Sequence, residues 1–575
     1  MNPAQLLVHF DRVSDASHAI PCLRRFILDL AVRGKLVEQD PRDEPASELL
    51  KRIQVERERQ SIEGAVRKNR NDSRVDVDEI PFELPKSWAR SSLGEVARYG
   101  ISGKIDSNKE VSANTWVLDL EDIEKGSSRL IERVLSSSRP FQSSKTRFNK
   151  GDVLFGKLRP YLNKVLVADT DGVCTTEIVP VRGYCGMVPE YIRLVLKSPL
   201  TMKRVDRLMY GMKMPRLGTD DALALNFPLP PLIEQHRIVA KVDELMVLGD
   251  RLEAAQVERE SRRDRLTTAS LYRLNNGVDP DAFREHARFY FNHLPSLTTN
   301  REHIQQLRQT ILNLAVRGKL VSQDPNDESA AELLKRIQAE KVRLLKEGKR
   351  KRGVELAPID DTQTPFALAP SWIWVRFPEL GIFGRGKSKH RPRNDRTLFD
   401  GGTHLLVQTG DVARSKGIIE TYTSKYNDIG LAQSKKWPKG TLCITIAANI
   451  ADSGILSFDA CFPDSVVGFI PAHEFPNAKY FEYFLRTAKA DLLAFAPATA
   501  QKNINLEILN AVLIPLPPLR EQHRIVAKVD ELIALCDRLE AQLNTTQTES
   551  RRLLEAVLCE ALSAPCGLNQ KVVQL

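Results

Sequence analysis

Pro228–Leu245 reads PLPPLIEQHRIVAKVDEL, and Pro515–Leu532 reads PLPPLREQHRIVAKVDEL, with Ile233 against Arg520 as the only difference. Chance does not repeat such a stretch. Outward from it, LAVRGKLV at Leu30–Val37 returns at Leu314–Val321, and ELLKRIQ at Glu48–Gln54 returns at Glu332–Gln338. The chain is therefore a tandem duplication, each copy holding a helical leader, a long insert and a helical trailer. The inserts, residues 85–227 and 370–514, have nearly equal lengths but share little sequence. A constant frame around differing contents implies two related readers of two different things.

The shared segments carry helical periodicity. From Ile525, apolar or small residues fall at Val529, Leu532, Cys536, Leu539, Leu543, Thr546, Ser550, Leu553 and Val557, the alternating four-and-three steps of a coiled-coil seam. Ile238, Val242, Leu245, Gly249 and Leu252 begin the same phase in the first copy. Pro230-Pro231 and Pro517-Pro518 suit a helix start, where the dipole favours Glu234 and Glu521. His236 and His523 read as helix-start residues rather than metal ligands or bases. The leaders predict helices over Leu23–Arg33, Ser47–Gln60, Leu307–Arg317 and Ser329–Leu345, with Gly34 and Gly318 as C-caps. Gly64–Asp78 and Gly348–Asp361 read as basic linkers, after which Trp88 and Trp372 open the inserts.

Inside the inserts, runs at Asp152–Phe155, Val165–Ala168, Glu177–Val181, Leu442–Ile446 and Ser465–Ile470 are broken by Gly, Pro, Asn and Asp, as strands and turns require. FNKGDVLF at Phe148–Phe155 aligns with WPKGTLCI at Trp437–Ile444, and Cys174 with Cys461. Both inserts are expected to share one α+β fold. The organisation read from these signals is a leader and linker (1–80), a first mixed α/β domain (81–227), a central helical region (228–370), a second mixed domain (371–514) and a closing helix (515–575).

The 575 residues carry a formal net charge of +10 and 27% charged residues, with a pI near 9.1, which favours an anionic partner, nucleic acid first. The N-terminus lacks the basic and apolar regions of a secretion signal, and no apolar run is long enough for a bilayer. The eight cysteines include no C-x-x-C pair and no His at zinc spacing, so reduced thiols in a cytoplasmic protein are expected.

The L-A-V-R-G-K-L, E-L-L-K-R-I and P-L-P-P-L-x-E-Q-H-R-I-V-A-K-V-D-E-L blocks, each present twice around divergent inserts, resemble the specificity subunit of type I restriction-modification systems. The resemblance covers nearly the whole chain. It implies that the inserts are target-recognition domains joined by long antiparallel coiled-coil helices in a pseudo-two-fold repeat. It further implies binding to double-stranded DNA, to two modification subunits and to two restriction subunits. S-adenosylmethionine, ATP and Mg would serve those partners, with no cofactor on this chain.

Candidate DNA-binding residues follow from charge clusters. In the first insert they are Lys157, Arg159, Tyr161 and Lys164 of KLRPYLNK, with Lys213 and Arg216 of KMPRL. In the second they are Arg385, Lys387, Lys389, Arg391, Arg393 and Arg396, with Gln501, Lys502 and Asn503 near the insert's end, whose amides can pair with adenine edges. The competing reading of each cluster is a solvated charged face. Gly381–Ser388 satisfies the G-x-x-x-x-G-K-S string, but no helix start follows, so nucleotide binding is not expected. No methyltransferase tetrad, metal-binding carboxylate set or nucleophile elbow is present, so a non-catalytic DNA reader competes with a coiled-coil scaffold that binds DNA without regard to sequence.

Overall fold

The computed structural model describes residues 18–62, 80–100, 103–107, 110–277, 279–346, 358–360, 364–390, 392–447, 450–475, 478–494, 504 and 506–563. The chain divides into two compact units, one drawn from 1–259 and 546–575, the other from 260–545.

In the first unit the leader forms helices Ala19–Val32 and Ala46–Ile62. The turn after the first needs glycine: Gly34 has φ +66°, and an added Cβ would lie 2.4 Å from Pro85 Cγ. The insert is closed by an antiparallel ribbon, Ala89–Ser92 against Asn226–Leu229, so its two ends lie side by side. Between them stand two sheets. One has four strands in the order Ala97–Tyr99, Ile178–Gly183, Val153–Gly156, Val165–Val167, and the other has five, in the order Lys104–Ile105, Lys145–Phe148, Gly172–Thr175, Trp116–Leu118, Val134–Leu135. Val153, Phe155 and Val181 share a core with Tyr191, Ile192 and Val195 of helix Pro189–Lys197.

The second unit repeats this plan. Helices Arg301–Val316 and Ala330–Lys346 lead into an insert closed by Ile373–Arg376 paired with Leu513–Leu516. Its sheets run Gly381–Arg385, Val466–Pro471, Leu442–Thr445, Ser453–Leu456, Ile418–Ile419 and Ser424–Tyr426, His404–Leu406, Ala460–Cys461, Lys436–Trp437. The weak alignment between inserts proves to be structural. Gly151 and Gly440 take φ +85° and +87° before the central strands Val153–Gly156 and Leu442–Thr445. Cys174 and Cys461 are both buried in parallel pairings, opposite Leu118 and Leu406. The inserts are one α+β fold built twice.

The repeated motif fixes each insert to its frame through the same contacts. Glu234 and Glu521, each 1% exposed, accept hydrogen bonds from Trp88 Nε1 and Trp372 Nε1, both at 3.0 Å. Arg237 pairs with Asp43 at 2.5 Å and Arg524 with Asp327 at 2.7 Å. Gln235 and Gln522 donate to the carbonyls of Pro230 and Pro517. The hydroxyls of Tyr191 and Tyr480 donate to Pro228 and Pro515 carbonyls, a further equivalence. His236 and His523 point outward, exposed.

The trailers are continuous 45-residue helices, Leu232–Asn276 and Leu519–Ser563. Within each unit the first part of the seam packs beside that repeat's own leader: Ile238 and Val242 share a core with Leu28 and Val32, and Val529 and Cys536 with Ile304 and Ile311. The clamps match, with Arg24 on Asp250 and Glu253, and Arg308 on Asp537 and Glu540. The repeated R-G-K turn caps a trailer's C-terminal carbonyls: Lys35 Nζ donates to Leu562 O, Lys319 Nζ to Gly277 O and Arg317 to Asn275 O. The linker Gly64–Asp78 lies outside the described residues, as does nearly all of Gly348–Asp361.

Candidate nucleic-acid interface

The two basic segments of the first insert come together. Arg159 N donates to Pro215 O at 2.7 Å, Leu217 N to Lys157 O at 3.1 Å, and Leu158 bridges Arg216. KLRPYLNK turns tightly here because Arg159 and Asn163 both take left-handed backbone, φ +48° and +52°, on either side of a 3-10 turn over Pro160–Leu162. Beside it Tyr210 and Arg216 exchange backbone hydrogen bonds, forming a tight loop with Gly211 at φ +98°. Arg159, Tyr161 and Lys213 are exposed on this corner, and Lys157 is half-buried.

Two of the predicted residues serve the corner internally. Lys164 Nζ donates to Leu120 O at 2.6 Å, and burial lowers its pKa. Arg216 forms a two-pronged pair with Glu177 at 3.0 and 3.1 Å. Charge spacing could not separate them from Lys213. It also passed over Tyr210 and Met212, which are 60% and 100% exposed at the loop tip. Apolar residues in a basic loop were the available signal.

In the second insert the matching strand end is Ile446, and the basic cluster follows another strand of the same sheet, Gly381–Arg385. Ile504 N donates to Ile446 O as Leu217 N does to Lys157 O. Gln501, Lys502 and Asn503 therefore precede the position equivalent to Leu217, although they, like Arg391, lie outside the described residues. Gly381–Arg385 is a strand paired with Val466–Pro471, and Gly386 is required because an added Cβ would meet Phe462 O at 2.4 Å. Its glycines serve packing, and the next helical turn is the 3-10 piece Arg396–Leu398. The loop after the strand is held by its neighbours: Arg385 Nε bonds Asp464 O at 3.0 Å, Arg393 pairs with Asp464 at 2.5 Å, and Gln433 Oε1 accepts from Lys389 N. Lys389 and Arg396 are exposed and Lys387 is half-buried.

Beside this loop lies a cavity of about 310 Å³ whose lining includes Arg393, Phe399, Gln408, Tyr426, Ala447 and Ser465. Ala447 adjoins Ile446, so the cavity and the end of the insert converge on one strand end. Sequence reasoning missed it because its walls come from separate segments. Among the described residues, no group of His, Cys, Asp and Glu is arranged to hold a metal ion, and no helix is long and apolar enough to cross a membrane.

Comparison with known proteins gives a consistent result. The family profile for the type I restriction modification DNA specificity domain matches residues 387–546. The chain is 31% identical over 573 residues to the type I restriction enzyme EcoEI specificity subunit of Escherichia coli, covering 95% of this chain and 94% of that one. It is 30% identical over 582 residues to the EcoAI specificity subunit of Escherichia coli, with the same coverage. A solved chain from work on complex assembly and conformational transition of the type I R-M system shares the fold, with TM-score 0.53 and 22% identity over 84% of this chain and 99% of that one. These similarities place the chain in the class of DNA-specificity proteins. The chain belongs to the specificity subunits of type I restriction enzymes.

Proposed function

We propose that the chain reads an asymmetric, bipartite DNA target, one half through each insert, and directs adenine-N6 methylation and ATP-dependent restriction by partner subunits. One observation carries this: two copies of one fold bear unlike basic loops on their sheets, the Lys157–Arg159 turn with Lys213 after strand Val153–Gly156 in one and Arg385–Arg396 after strand Gly381–Arg385 in the other. Phosphate contacts from such loops position the protein, while base-edge contacts specify sequence. Two unlike loops then read two unlike half-sites. The partners are two modification subunits, which use S-adenosylmethionine, and two restriction subunits, which use ATP and Mg, all meeting chromosomal DNA in the cytoplasm.

The test is genome-wide mapping of N6-methyladenine in cells expressing the chain with its modification partner, using the natural chain and one whose residues 85–227 come from another specificity subunit. The expected result is a bipartite motif that requires the chain and changes in only one half after the exchange. A change in both halves refutes the one-insert, one-half reading. Methylation independent of the chain favours a scaffold that binds DNA without regard to sequence.

A further inference from the structure

The first unit contains a basic cleft apart from the reading corner. It lies between the leader helix Ala19–Val32 and helix Pro199–Leu208, and its lining includes Arg33, Phe82, Lys203, Arg204, Arg207 and Asn226. Arg33 is occupied, paired with Asp29 at 3.0 Å and stacked over Phe82 at 4.5 Å. Lys203 and Arg207 are exposed and make no ion pair among the described residues. One turn apart on a helix, they present their charges on one face. Asn226 is 8% exposed, and its buried Oδ1 has no hydrogen-bond partner among the described residues. A buried amide without a partner is costly, and a half-turn of its side chain would offer the NH2 group instead. Two cations and an uncommitted amide make a receptor for an anion.

Continuity with the reading corner identifies the anion. Helix Pro199–Leu208 packs against the Pro160–Leu162 turn and runs directly into the exposed loop that carries Lys213. Ten residues of helix span about 15 Å, roughly four base-pair steps of B-DNA. In helix Lys479–Ala494 of the second insert, whose Tyr480 matches Tyr191 of helix Pro189–Lys197, the basic residues are paired: Lys479 with Asp530, Arg486 with Glu482 and Lys489 with Asp452.

We infer that the Lys203–Arg207–Asn226 cleft binds backbone phosphates of duplex DNA outside the first half-site, clamping the flank on that side only. This rests on the first insert's reading of DNA at the Arg159–Lys213 corner. The experiment uses the full chain with its modification partner and duplexes carrying the mapped target, blunt at either outer edge or extended by ten base pairs. Removing the flank beside the first half-site is expected to weaken binding about tenfold, and removing the opposite flank to change it little. Lys203→Ala/Arg207→Ala should abolish that flank dependence and reduce the logarithmic salt slope by about two, with the methylated motif unchanged. Asn226→Asp, which places a carboxylate in the cleft, should act in the same direction.

An unchanged flank dependence and salt slope in the double variant overturns the proposal. So does a variant that binds DNA normally but loses its modification partner, which would make the cleft a seat for an acidic protein surface. If instead Arg159→Ala/Lys213→Ala leaves specific binding and motif intact while the cleft variant weakens binding, the reading corner is misplaced and the flank clamp stands.

Discussion

At the residue scale, like charges close together in sequence do unlike work. Lys164 is half-buried on a carbonyl, whereas Lys213 stands exposed on a loop tip. Lys164→Ala removes a hydrogen bond to a backbone oxygen and is expected to lower the melting temperature with a small effect on DNA affinity per folded molecule. Lys213→Ala should weaken DNA binding several-fold, reduce the salt slope by about one and leave the melting temperature unchanged. Thermal unfolding and fluorescence anisotropy on both variants check this, and reversed roles would remove Lys213 from the interface. Glu234 offers a second test. Burial raises its carboxyl pKa above the usual value even though Trp88 and Gln39 donate to it. A folded-state pKa above the unfolded one means the charged form is penalised in the fold. The penalty is full above the folded pKa and fades as pH falls through it. Glu234→Gln keeps an acceptor for Trp88 without the charge, so its stability relative to the natural chain should be most favourable at pH 7–8 and shrink toward pH 5. A pH-independent difference in melting temperature would contradict this.

At the element scale, periodicity revealed most of the scaffold. Leader helices and core strands lie near their expected bounds, with the helix expected from Leu307 starting six residues earlier at Arg301, because each buries an apolar face at the period the sequence shows. Helix Pro280–Asn292 lies outside the repeated blocks and was not among the expected elements. Asp279 accepting from Asp281 N and Ala282 N, with Pro at the first turn, is a helix start visible in the residues themselves. The seam's local partners were not legible, since a seam declares a buried stripe and not what covers it. In the candidate interface, clusters were legible and individual roles were not: Arg216 is committed to Glu177, and Arg393 to Asp464, by residues distant in sequence. Charge reversal should therefore avoid Arg393. Lys387, Lys389 and Arg396 changed together to Glu is expected to reduce the salt slope by about three and to weaken second half-site binding, with the loop's Asp464 and Gln433 anchors intact. Anisotropy titrations across a salt series measure this. Unaltered binding would remove the Arg385–Arg396 loop from the DNA surface.

At the scale of the whole molecule, the trailers matter through their length. Leu232–Arg259 belongs to the first unit and Glu260–Asn276 to the second, while Leu519–Thr545 belongs to the second and Thr546–Ser563 to the first. Each is one unbroken helix, about 68 Å long at roughly 1.5 Å per residue. The proposed bipartite reading makes that length a ruler for the spacer between half-sites. One heptad added to both trailers near Arg259 and Thr545 keeps each apolar seam facing the same neighbours and adds about 10 Å. That rise corresponds to about three base pairs, which also turn the duplex by about 100°. The protein insertion supplies the rise but little of the rotation, so twist in DNA or protein must absorb the mismatch. Methylation mapping of the lengthened chain should therefore return the same two half-sites with a spacer about three base pairs longer, bound more weakly than the parent binds its own target. An unchanged spacer with full methylation would mean that the units find their half-sites independently of trailer length, and the ruler would have to be abandoned.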